Sequence, residues 1–245
     1  MRDSTLSVFL PVYNYNPSLL KDRVRTVLEF LRVNFRESEI VIVDDNSDSD
    51  TKRAISEVMN LPTVTSVSNA SGPSRRENLA ASFQRARYPI VCYMDIDLAT
   101  DLAYLPALTD AIHGGAEIAI GSRYSGVKPQ REIYRLLVSK VYNFVLWAVF
   151  GTRVADHNCG FKAFRKEVIV GLVERLGYDR TGRRGWFWDA EMLIRAQREG
   201  LRIAEIPVVW SADQESTFSF RREMYFVLHA WSFWRETRGG HGWDS

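Results

Sequence analysis

The stretch from Pro89 to Asp97 constrains the fold of this chain most strongly. An apolar run, residues 89–94, leads into two aspartates that are separated by one residue, Asp95 and Asp97. A continuous apolar run between breakers is typical of a strand buried on both faces of a parallel sheet. In open α/β sheets, ligands bind beyond the carboxyl ends of the strands, where these carboxylates fall. Because hard oxygen ligands suit Mg²⁺ or Mn²⁺, we predict a divalent cation at Asp95 and Asp97; a solvated acidic turn is the alternative.

Strand-like and helix-like segments alternate over the first 125 residues. Apolar runs at residues 6–10, 39–43, 63–67 and 117–121 predict strands besides the one that ends at Asp95, and helical periodicity separates them. Asp50 is the expected cap of the second helix. This alternation predicts βαβ crossovers, and therefore an α/β fold with a mostly parallel sheet flanked by helices.

The second half has a different character. Ile133–Phe150 is a long aromatic-rich helical segment, and residues 189–199 and 202–210 predict a helix and a strand. The tail at residues 220–234 is amphipathic and aromatic. Since no repeat or low-complexity linker interrupts the chain, we predict a single domain over residues 1–245. Its two functional halves are residues 1–125 and 126–245.

Composition excludes little. The chain has 245 residues, of which 46% are hydrophobic and 25% charged, as is ordinary for a globular protein. The net charge of +2 leaves nucleic acid and membrane open as partners. Cys92 and Cys159 build no disulfide framework, which favours a reducing cytosolic compartment. We expect neither a secretory signal nor an apolar run of the roughly 20 residues that span a bilayer.

Three motifs close consecutive core strands: Pro11-Val-Tyr13-Asn14, Asp44-Asp45-Asn-Ser and Asp95-Ile-Asp97. This combination resembles the family 2 glycosyltransferases of GT-A fold, a Rossmann-like architecture that uses a nucleotide sugar and a divalent cation. The resemblance implies a nucleotide-binding set and a metal pair. The nucleotide-binding residues would be Pro11, Tyr13, Asn14, Asp44, Asp45 and Asp95. The metal, Mg²⁺ or Mn²⁺, would be held by Asp95 and Asp97.

Motifs of the second half resemble the polyprenyl- and dolichyl-phosphate mannose and glucose synthases within that family. They are Gly121-Ser-Arg-Tyr124, Arg135 with Ser139, Asp156-His-Asn-Cys-Gly-Phe-Lys-Ala-Phe164 and Phe187-Trp-Asp189-Ala-Glu191. The resemblance implies inverting transfer of a hexose from a UDP-glucose-type donor or GDP-mannose to a lipid phosphate. It also implies that residues 1–125 form a nucleotide-sugar-binding half and residues 126–245 an acceptor- and membrane-facing half. Asp95, Asp97 and Asp156 would be catalytic, with Asp156 as a base or a sugar-positioning group or, alternatively, a loop cap. Asp189 and Glu191 would contact the sugar, although Asp189 can equally start a helix.

The acceptor that this resemblance implies is a phosphate monoester, which is anionic near neutral pH because its second pKa is about 6. It needs charge neutralisation more than a strong base. Arg123, Arg135 and Ser139 suit that task, since arginine gives paired donors to phosphate oxygens. Arg135 and Ser139 lie one helical turn apart and share a face. Arg135 could alternatively be a solvated charge on an amphipathic helix.

The aromatic helix and tail have the pattern of segments that lie in a membrane interface, although buried helices carry the same stripe. We therefore expect a cytoplasmic protein that is peripheral on the cytoplasmic face of a membrane, through these helices or a separate membrane subunit, with no nucleic-acid partner. His157 is expected to be a hydrogen-bonding loop residue rather than a ligand.

The chain departs from the family at three places. After the last strand it has Ser211-Ala-Asp-Gln-Glu-Ser216, where mannose synthases have an arginine and a Gly-x-Ser-Lys run. The third strand is followed by Asn69-Ala-Ser-Gly-Pro-Ser-Arg75-Arg76, where relatives have Asn-x-Gly-Lys-Gly, so either arginine could supply the lysine's charge. Ala99 stands where mannose synthases usually have a glutamine, which favours a glucose-type sugar. Alternatives remain open: transfer to a soluble or protein acceptor, a non-catalytic nucleotide-sugar-binding subunit, or a nucleotidyltransferase, for which the glycine-rich loop after the first strand is missing.

Overall fold

A computed structural model describes residues 2–74, 76–124, 133–181, 184–185, 187–211 and 229–237. Its strands are β1 Arg2–Val12, β2 Phe35–Asp44, β3 Val64–Ser68, β4 Ile90–Met94, β5 Ile118–Ser122, β6 Phe161–Arg165 and β7 Ile203–Pro207. Its helices are α1 Pro17–Asn34, α2 Ser49–Val58, α3 Glu77–Ser82, α4 Leu105–His113, α5 Ile133–Phe150, α6 Lys166–Leu176 and α7 Phe187–Arg198. Residues 229–237 form a further helical segment.

The strands form one sheet in the order β3-β2-β1-β4-β6-β5-β7. All described pairs are parallel except those of β6, which runs antiparallel to both β4 and β5. The predicted α/β fold with a mostly parallel sheet is therefore confirmed. From β1 the chain adds β2 and then β3 on one side of β1, and it then returns to place β4 on the other side. The direction in which strands are added therefore reverses between β1 and β4. Such a reversal opens the crevice in which α/β proteins bind ligands.

Apolar side chains pack on both faces of the sheet. One cluster joins β1, β2 and β4 to α1, α2 and α4, with Leu6, Ile42 and Cys92 fully buried. The opposite cluster packs α3, α6 and α7 on the sheet around Phe83, Phe164 and Trp188. Because both faces are covered, β4 is apolar at every position, as the sequence pattern predicted.

Local signals fix the helix beginnings. The side chain of Asn16 accepts hydrogen bonds from the amides of Ser18 and Leu19, and Pro17 occupies the first turn of α1. For α2 the expected cap was wrong: Asp48 rather than Asp50 accepts from the Thr51 amide. The preceding loop decides this, because Asn14 Oδ1 accepts from the Asp48 amide at 2.8 Å and fixes Asp48 at the helix start.

Helix α5 has the predicted bounds and packs through Leu146 and Phe150 on α7 and the segment 229–237. Its other described side chains are largely apolar and exposed, among them Val141, Phe144, Val145 and Trp147. None of the helices in the described part of the chain has both the length and the apolar content to cross a bilayer. The predicted tail segment lies outside the described residues up to residue 228.

Candidate active site

The carboxyl ends of β1, β2 and β4 meet at one rim of the sheet, where the three predicted motifs lie. β2 pairs with β1 as far as Asp44 opposite Val12, and β4 pairs with β1 as far as Tyr93 opposite Phe9. The amide of Asp45 then donates to the Val12 carbonyl at 2.9 Å. Parallel register therefore places the first two motifs side by side, with Asp95 just beyond the end of the neighbouring strand.

Asp44 is fully buried at the end of β2. Its Oδ1 accepts from the Ser47 amide at 2.8 Å, while its Oδ2 is buried without a hydrogen-bond partner in the described structure. Leaving a buried carboxylate oxygen unpaired costs free energy. A ligand with hydrogen-bond donors, such as a nucleobase or a ribose hydroxyl, would satisfy it.

Asp45, the other predicted nucleotide contact on this strand, bonds to the loop that follows β3. Its carboxylate accepts from the amide and hydroxyl of Ser74, both at 2.9 Å, and from Asn78 Nδ2 at 2.5 Å. Gly72 lies so close that a Cβ there would stand 2.4 Å from the Asp45 carbonyl oxygen. The observed contacts of Asp45 thus hold the loop, and its contact with nucleotide stays a prediction.

The first motif forms the turn after β1. Pro11 is the penultimate residue of β1, and the Tyr13 side chain is exposed beside the crevice. Asn14 has a left-handed backbone, with φ 45°, and its amide donates to Ser47 Oγ at 3.2 Å. Asparagine tolerates this conformation better than most residues, so the turn between β1 and α1 is locally encoded.

Asp95 follows β4 and lies between Arg76 and Gly160. Its Oδ1 accepts from Arg76 Nη1 at 3.2 Å, and its amide donates to the Gly160 carbonyl at 3.1 Å. A Cβ at Gly160 would lie 1.9 Å from Asp95 Oδ2, so only glycine fits there. About 45% of the Asp95 side chain is nevertheless exposed to the crevice.

Asp97 accepts from the Ala99 amide at 3.0 Å. Burial, together with the charge of Asp95, raises the pKa of Asp97. Two neighbouring hard carboxylates whose charges repel fit a divalent cation such as Mg²⁺ or Mn²⁺. The described residues contain no group of three or more histidine, cysteine or acidic side chains that could hold a metal. Water and phosphate oxygens would therefore complete the coordination.

A buried polar network lies beneath Asp95. Arg76 Nε donates to Asp189 Oδ2 at 3.0 Å, and Lys162 Nζ donates to Asp189 Oδ1 at 2.9 Å. The Tyr93 hydroxyl also donates to Asp189 Oδ1, and Lys162 Nζ reaches the Cys159 carbonyl at 2.6 Å. Burial alone would raise the pKa of Asp189, but Lys162 and Arg76 hold it below its usual value.

Arg123 and Asp156, the first of them a predicted acceptor-phosphate residue, form a buried ion pair. Arg123 Nε and Nη2 donate to the two carboxylate oxygens at 2.6 and 2.7 Å, and the Arg123 amide adds a third bond at 3.0 Å. The guanidinium lies 5.7 Å from the Tyr124 ring centre and 5.9 Å from that of Trp210. The Tyr124 hydroxyl donates to Ser139 Oγ. Tyr124 thus lies between Arg123 and Ser139 and links them, while the Arg135 side chain lies outside the described residues.

Arg123 keeps the Asp156 carboxylate ionised. Burial alone would raise the pKa of Asp156, but the hydrogen bonds and charge of Arg123 lower it. A buried carboxylate bonded through both oxygens is suited to orienting Arg123, and its role as a base stays a prediction. The neighbouring His157 bonds to Asn143 Oδ1 and Thr152 Oγ1, as expected of a loop residue, and burial lowers its pKa to about 4.

Asp189 and Glu191 leave different faces of α7. Asp189 belongs to the network beneath Asp95, whereas Glu191 bonds to Arg195 Nε at 3.0 Å and to His229 Nε2 at 2.7 Å. Glu191 therefore attaches the segment 229–237 to α7. Both carboxylates are almost fully buried and bonded to protein groups, and their predicted sugar contacts stay predictions.

The sequence analysis gave no role to four residues of the site, which are Tyr93, Gly160, Lys162 and Tyr124, and it named Arg76 only as a charge that could replace the family's lysine. Their signals were present in part, because Arg76 lies in the loop that departs from the family pattern and Tyr124 follows a predicted acceptor residue. The partnership of Arg76 with Asp189 spans 113 positions, and no local pattern encodes it.

The site is an α/β crevice with a pair of carboxylates, Asp95 and Asp97, and a buried aspartate, Asp44, at the end of the neighbouring strand pair. Residues 7–172 match the sequence profile of Glycosyl transferase family 2, and the chain belongs to this family. This confirms the family resemblance that the three rim motifs carry.

Several curated proteins are similar. Glycosyltransferase AglD of Haloferax volcanii is 30% identical over 224 residues, 89% of this chain and 35% of that protein. The dolichyl-phosphate beta-glucosyltransferase of Saccharomyces cerevisiae is 28% identical over 84% of this chain and 66% of that protein. The dolichol-phosphate mannosyltransferase of Pyrococcus furiosus is 31% identical over 68% and 48%. The chain thus spans from 35% to 66% of these relatives' lengths.

Solved structures share the fold. Glucosyl-3-phosphoglycerate synthase from Mycobacterium tuberculosis, crystallised with Mn²⁺, UDP and phosphoglyceric acid, superposes with a TM-score of 0.65 at 19% identity. The superposition covers 97% of this chain and 79% of that one. At this identity the likeness shows the architecture, and it confirms the GT-A fold.

Proposed function

We propose that this chain transfers a hexose from a nucleotide sugar to a polyprenyl phosphate and depends on a divalent cation. The observation that carries the proposal is the rim of the sheet, where Asp44 presents an unpaired buried oxygen and Asp95 and Asp97 follow the neighbouring strand. The unpaired oxygen of Asp44 suits a nucleoside, and the carboxylates of Asp95 and Asp97 suit a cation that is bound together with the donor diphosphate.

Each group has a task in this reaction. Asp44 binds the base or ribose of the donor, with Pro11, Tyr13 and Asn14 beside it. Asp95 and Asp97 hold Mg²⁺ or Mn²⁺, which when bound neutralises the diphosphate leaving group as a Lewis acid. Ala99 offers no side-chain ligand at this point, and a UDP-glucose-type donor is preferred over GDP-mannose.

The acceptor side suits an anion. Arg123 is oriented by Asp156 and stacks near Tyr124, which in turn bonds to Ser139. With Arg135 on the same helix as Ser139, these groups guide the phosphate oxygen to the anomeric carbon of the sugar. The phosphate is already anionic, so attack with inversion needs orientation and charge neutralisation rather than proton removal by a strong base. Relatives named for dolichyl or polyprenol phosphate support this acceptor.

Contact with a membrane follows from such an acceptor. The exposed apolar face of α5 includes Phe144 and Trp147, and Trp231 of the segment 229–237 is exposed with Arg235 4.9 Å from its ring centre. Apolar and basic groups together suit the interface of an anionic bilayer. We place the protein peripherally on the cytoplasmic face.

Transfer of radiolabelled sugar tests the function. The chain is incubated with UDP-glucose or GDP-mannose, polyprenyl phosphate in detergent, and Mn²⁺ or Mg²⁺, and label is counted in the organic phase. We expect label in the organic phase with wild type and at least a hundredfold less with Asp95→Asn or Asp97→Asn. Asp50→Asn, at an exposed residue of α2, should match wild type. Label that stays in water with an added soluble phosphate acceptor would favour the alternative function.

A further inference from the structure

Arg76 is a buried arginine whose two bonded nitrogens face different carboxylates. It lies just before α3, is 4% exposed, and joins Asp189 below to Asp95 at the rim. The guanidinium carbon also lies 5.1 Å from the centre of the Tyr93 ring. A buried guanidinium is costly unless it is well paired, so this position is a built feature of the fold.

The lower partner of Arg76 is itself fixed from three elements. Asp189 on α7 bonds to Tyr93 on β4 and to Lys162 on β6, and both bonds fall on its Oδ1, which leaves Oδ2 to Arg76. Because these groups are buried in the sheet's core layer, Arg76 is held from below by rigid parts of the molecule.

Charge balance explains why Asp95 completes the set. Arg76 and Lys162 are two cations, and Asp189 is one buried anion. These three groups carry a net charge of +1, and the half-exposed carboxylate of Asp95 brings the net charge to zero. Asp95 is also confined on its other side, because its Oδ2 lies against the Gly160 backbone. The carboxylate is therefore held on both sides before any ligand arrives.

We propose that Arg76 is the positioning residue of the candidate cation site and fixes the Asp95 carboxylate in the orientation that binds a divalent cation. The inference rests on the proposed function, since it assumes that Asp95 is a cation ligand. Groups that orient a ligand from outside the coordination sphere typically contribute roughly tenfold to hundredfold to metal affinity. Its planar fork suits arginine to this task, because one guanidinium contacts two carboxylates in fixed directions.

Mn²⁺ alone is the probe, and the free ion is counted by electron paramagnetic resonance during titration of the purified chain. Arg76→Gln removes the fork but leaves Lys162 paired with Asp189 and Asp95 open to water, so the variant is expected to fold. Arg76→Lys keeps the charge without the fork. We expect both to bind Mn²⁺ at least tenfold more weakly than wild type, while the exposed Arg53→Gln on α2 binds as wild type does.

The outcomes separate the claims. A thermal melt identifies any variant that unfolds, and a purely structural role would lower the melting temperature of Arg76→Gln without changing Mn²⁺ affinity. Wild-type affinity in both folded variants would overturn this inference and leave the proposed function standing. Full affinity in Arg76→Lys alone would show that charge rather than orientation matters, which also overturns it. A wild-type chain that binds no Mn²⁺ on its own would overturn this inference, whereas the proposed function stands or falls with the sugar-transfer assay.

Discussion

The backbone of Gly160 lies directly against the Asp95 carboxylate, so that a Cβ at residue 160 would stand 1.9 Å from Asp95 Oδ2. This contact joins the loop before β6 to the end of β4, and the Asp95 amide strengthens it by donating to the Gly160 carbonyl. The absence of a side chain at Gly160 therefore shapes the candidate cation site.

Gly160→Ala should abolish most activity without unfolding the chain. The added methyl must displace the Asp95 carboxylate, and we expect at least a tenfold loss of sugar transfer, measured with radiolabelled donor. Gly171→Ala is the matched control, because its Cβ meets only the end of the Arg175 side chain, at 3.1 Å. That control lies within α6 and should retain activity with a stability gain of up to about 1 kcal/mol. Equal activity of the two variants would contradict the proposed role of the contact.

Asp156→Asn should destabilise the chain by breaking the buried pair with Arg123. The partner left unpaired is costly, and we expect a loss of about 3–5 kcal/mol in urea unfolding at pH 7. Arg123→Met combined with Asp156→Leu should recover most of this loss, since neither charge of the pair then remains buried without its partner. If the free energy of unfolding of Asp156→Asn falls by less than about 1 kcal/mol, the ion pair is not buried and formed in solution as described.

The same pair fixes a pH dependence. The folded pKa of Asp156 is lowered from the usual 3.8, so the unfolded chain binds its proton first. The stabilisation is therefore present above about pH 4 and is lost as the pH falls further. The difference between wild type and Asp156→Asn should be constant from pH 5 to pH 8.

Glu77 should make the folded chain less stable as the pH rises, which is opposite to the effect of Asp156. It is buried at the start of α3, where Arg184 lies 3.4 Å away and Asp179 and Glu191 face it, and burial raises its pKa to about 7. Since the folded pKa exceeds the unfolded value of about 4.5, the stabilisation is full below that value and is lost as the pH rises towards 7. Relative to Glu77→Gln, wild type should lose up to about 3 kcal/mol between pH 4.5 and pH 7.5. Urea unfolding across this range measures the loss, with Glu174→Gln, at an exposed residue of α6, as the control. Parallel curves for wild type and Glu77→Gln would contradict the account.

The exposed face of α5 should govern membrane binding. Phe144 and Trp147 are 62% and 59% exposed, and their rings lie 5.6 Å apart. Phe144→Ser with Trp147→Ser should weaken sedimentation with vesicles of phosphatidylcholine and phosphatidylglycerol at least tenfold, since burying each side chain contributes about 1.5–3 kcal/mol. Val33→Ser on α1, at a residue that is 72% exposed, is the control. Unchanged sedimentation of the double variant would contradict membrane contact through α5.

Local patterns predicted much of this molecule. The bounds of α5, the buried β4 and the three rim motifs follow from periodicity and turn chemistry, which depend on neighbours in sequence. The antiparallel direction of β6 is different, because it is decided by pairing with β4 and β5, at positions far along the chain. The network of Arg76, Lys162 and Asp189 is likewise a product of tertiary packing, and no local pattern indicates that these three residues are partners.

The contacts of Asp45 make the same point within the site. The sequence places two adjacent aspartates at the end of β2, with nothing local to separate their roles. The fold buries Asp44 with one unpaired oxygen, whereas the carboxylate of Asp45 accepts from Ser74 and Asn78.

The most direct test of the central claim is calorimetric titration of UDP and GDP into the chain, with and without Mn²⁺. The account predicts that Mn²⁺ tightens binding of the preferred nucleotide at least tenfold in wild type, and that Asp95→Asn and Asp97→Asn lose this gain. Nucleotide binding that is indifferent to Mn²⁺ in wild type, or a gain that survives in both variants, would contradict it.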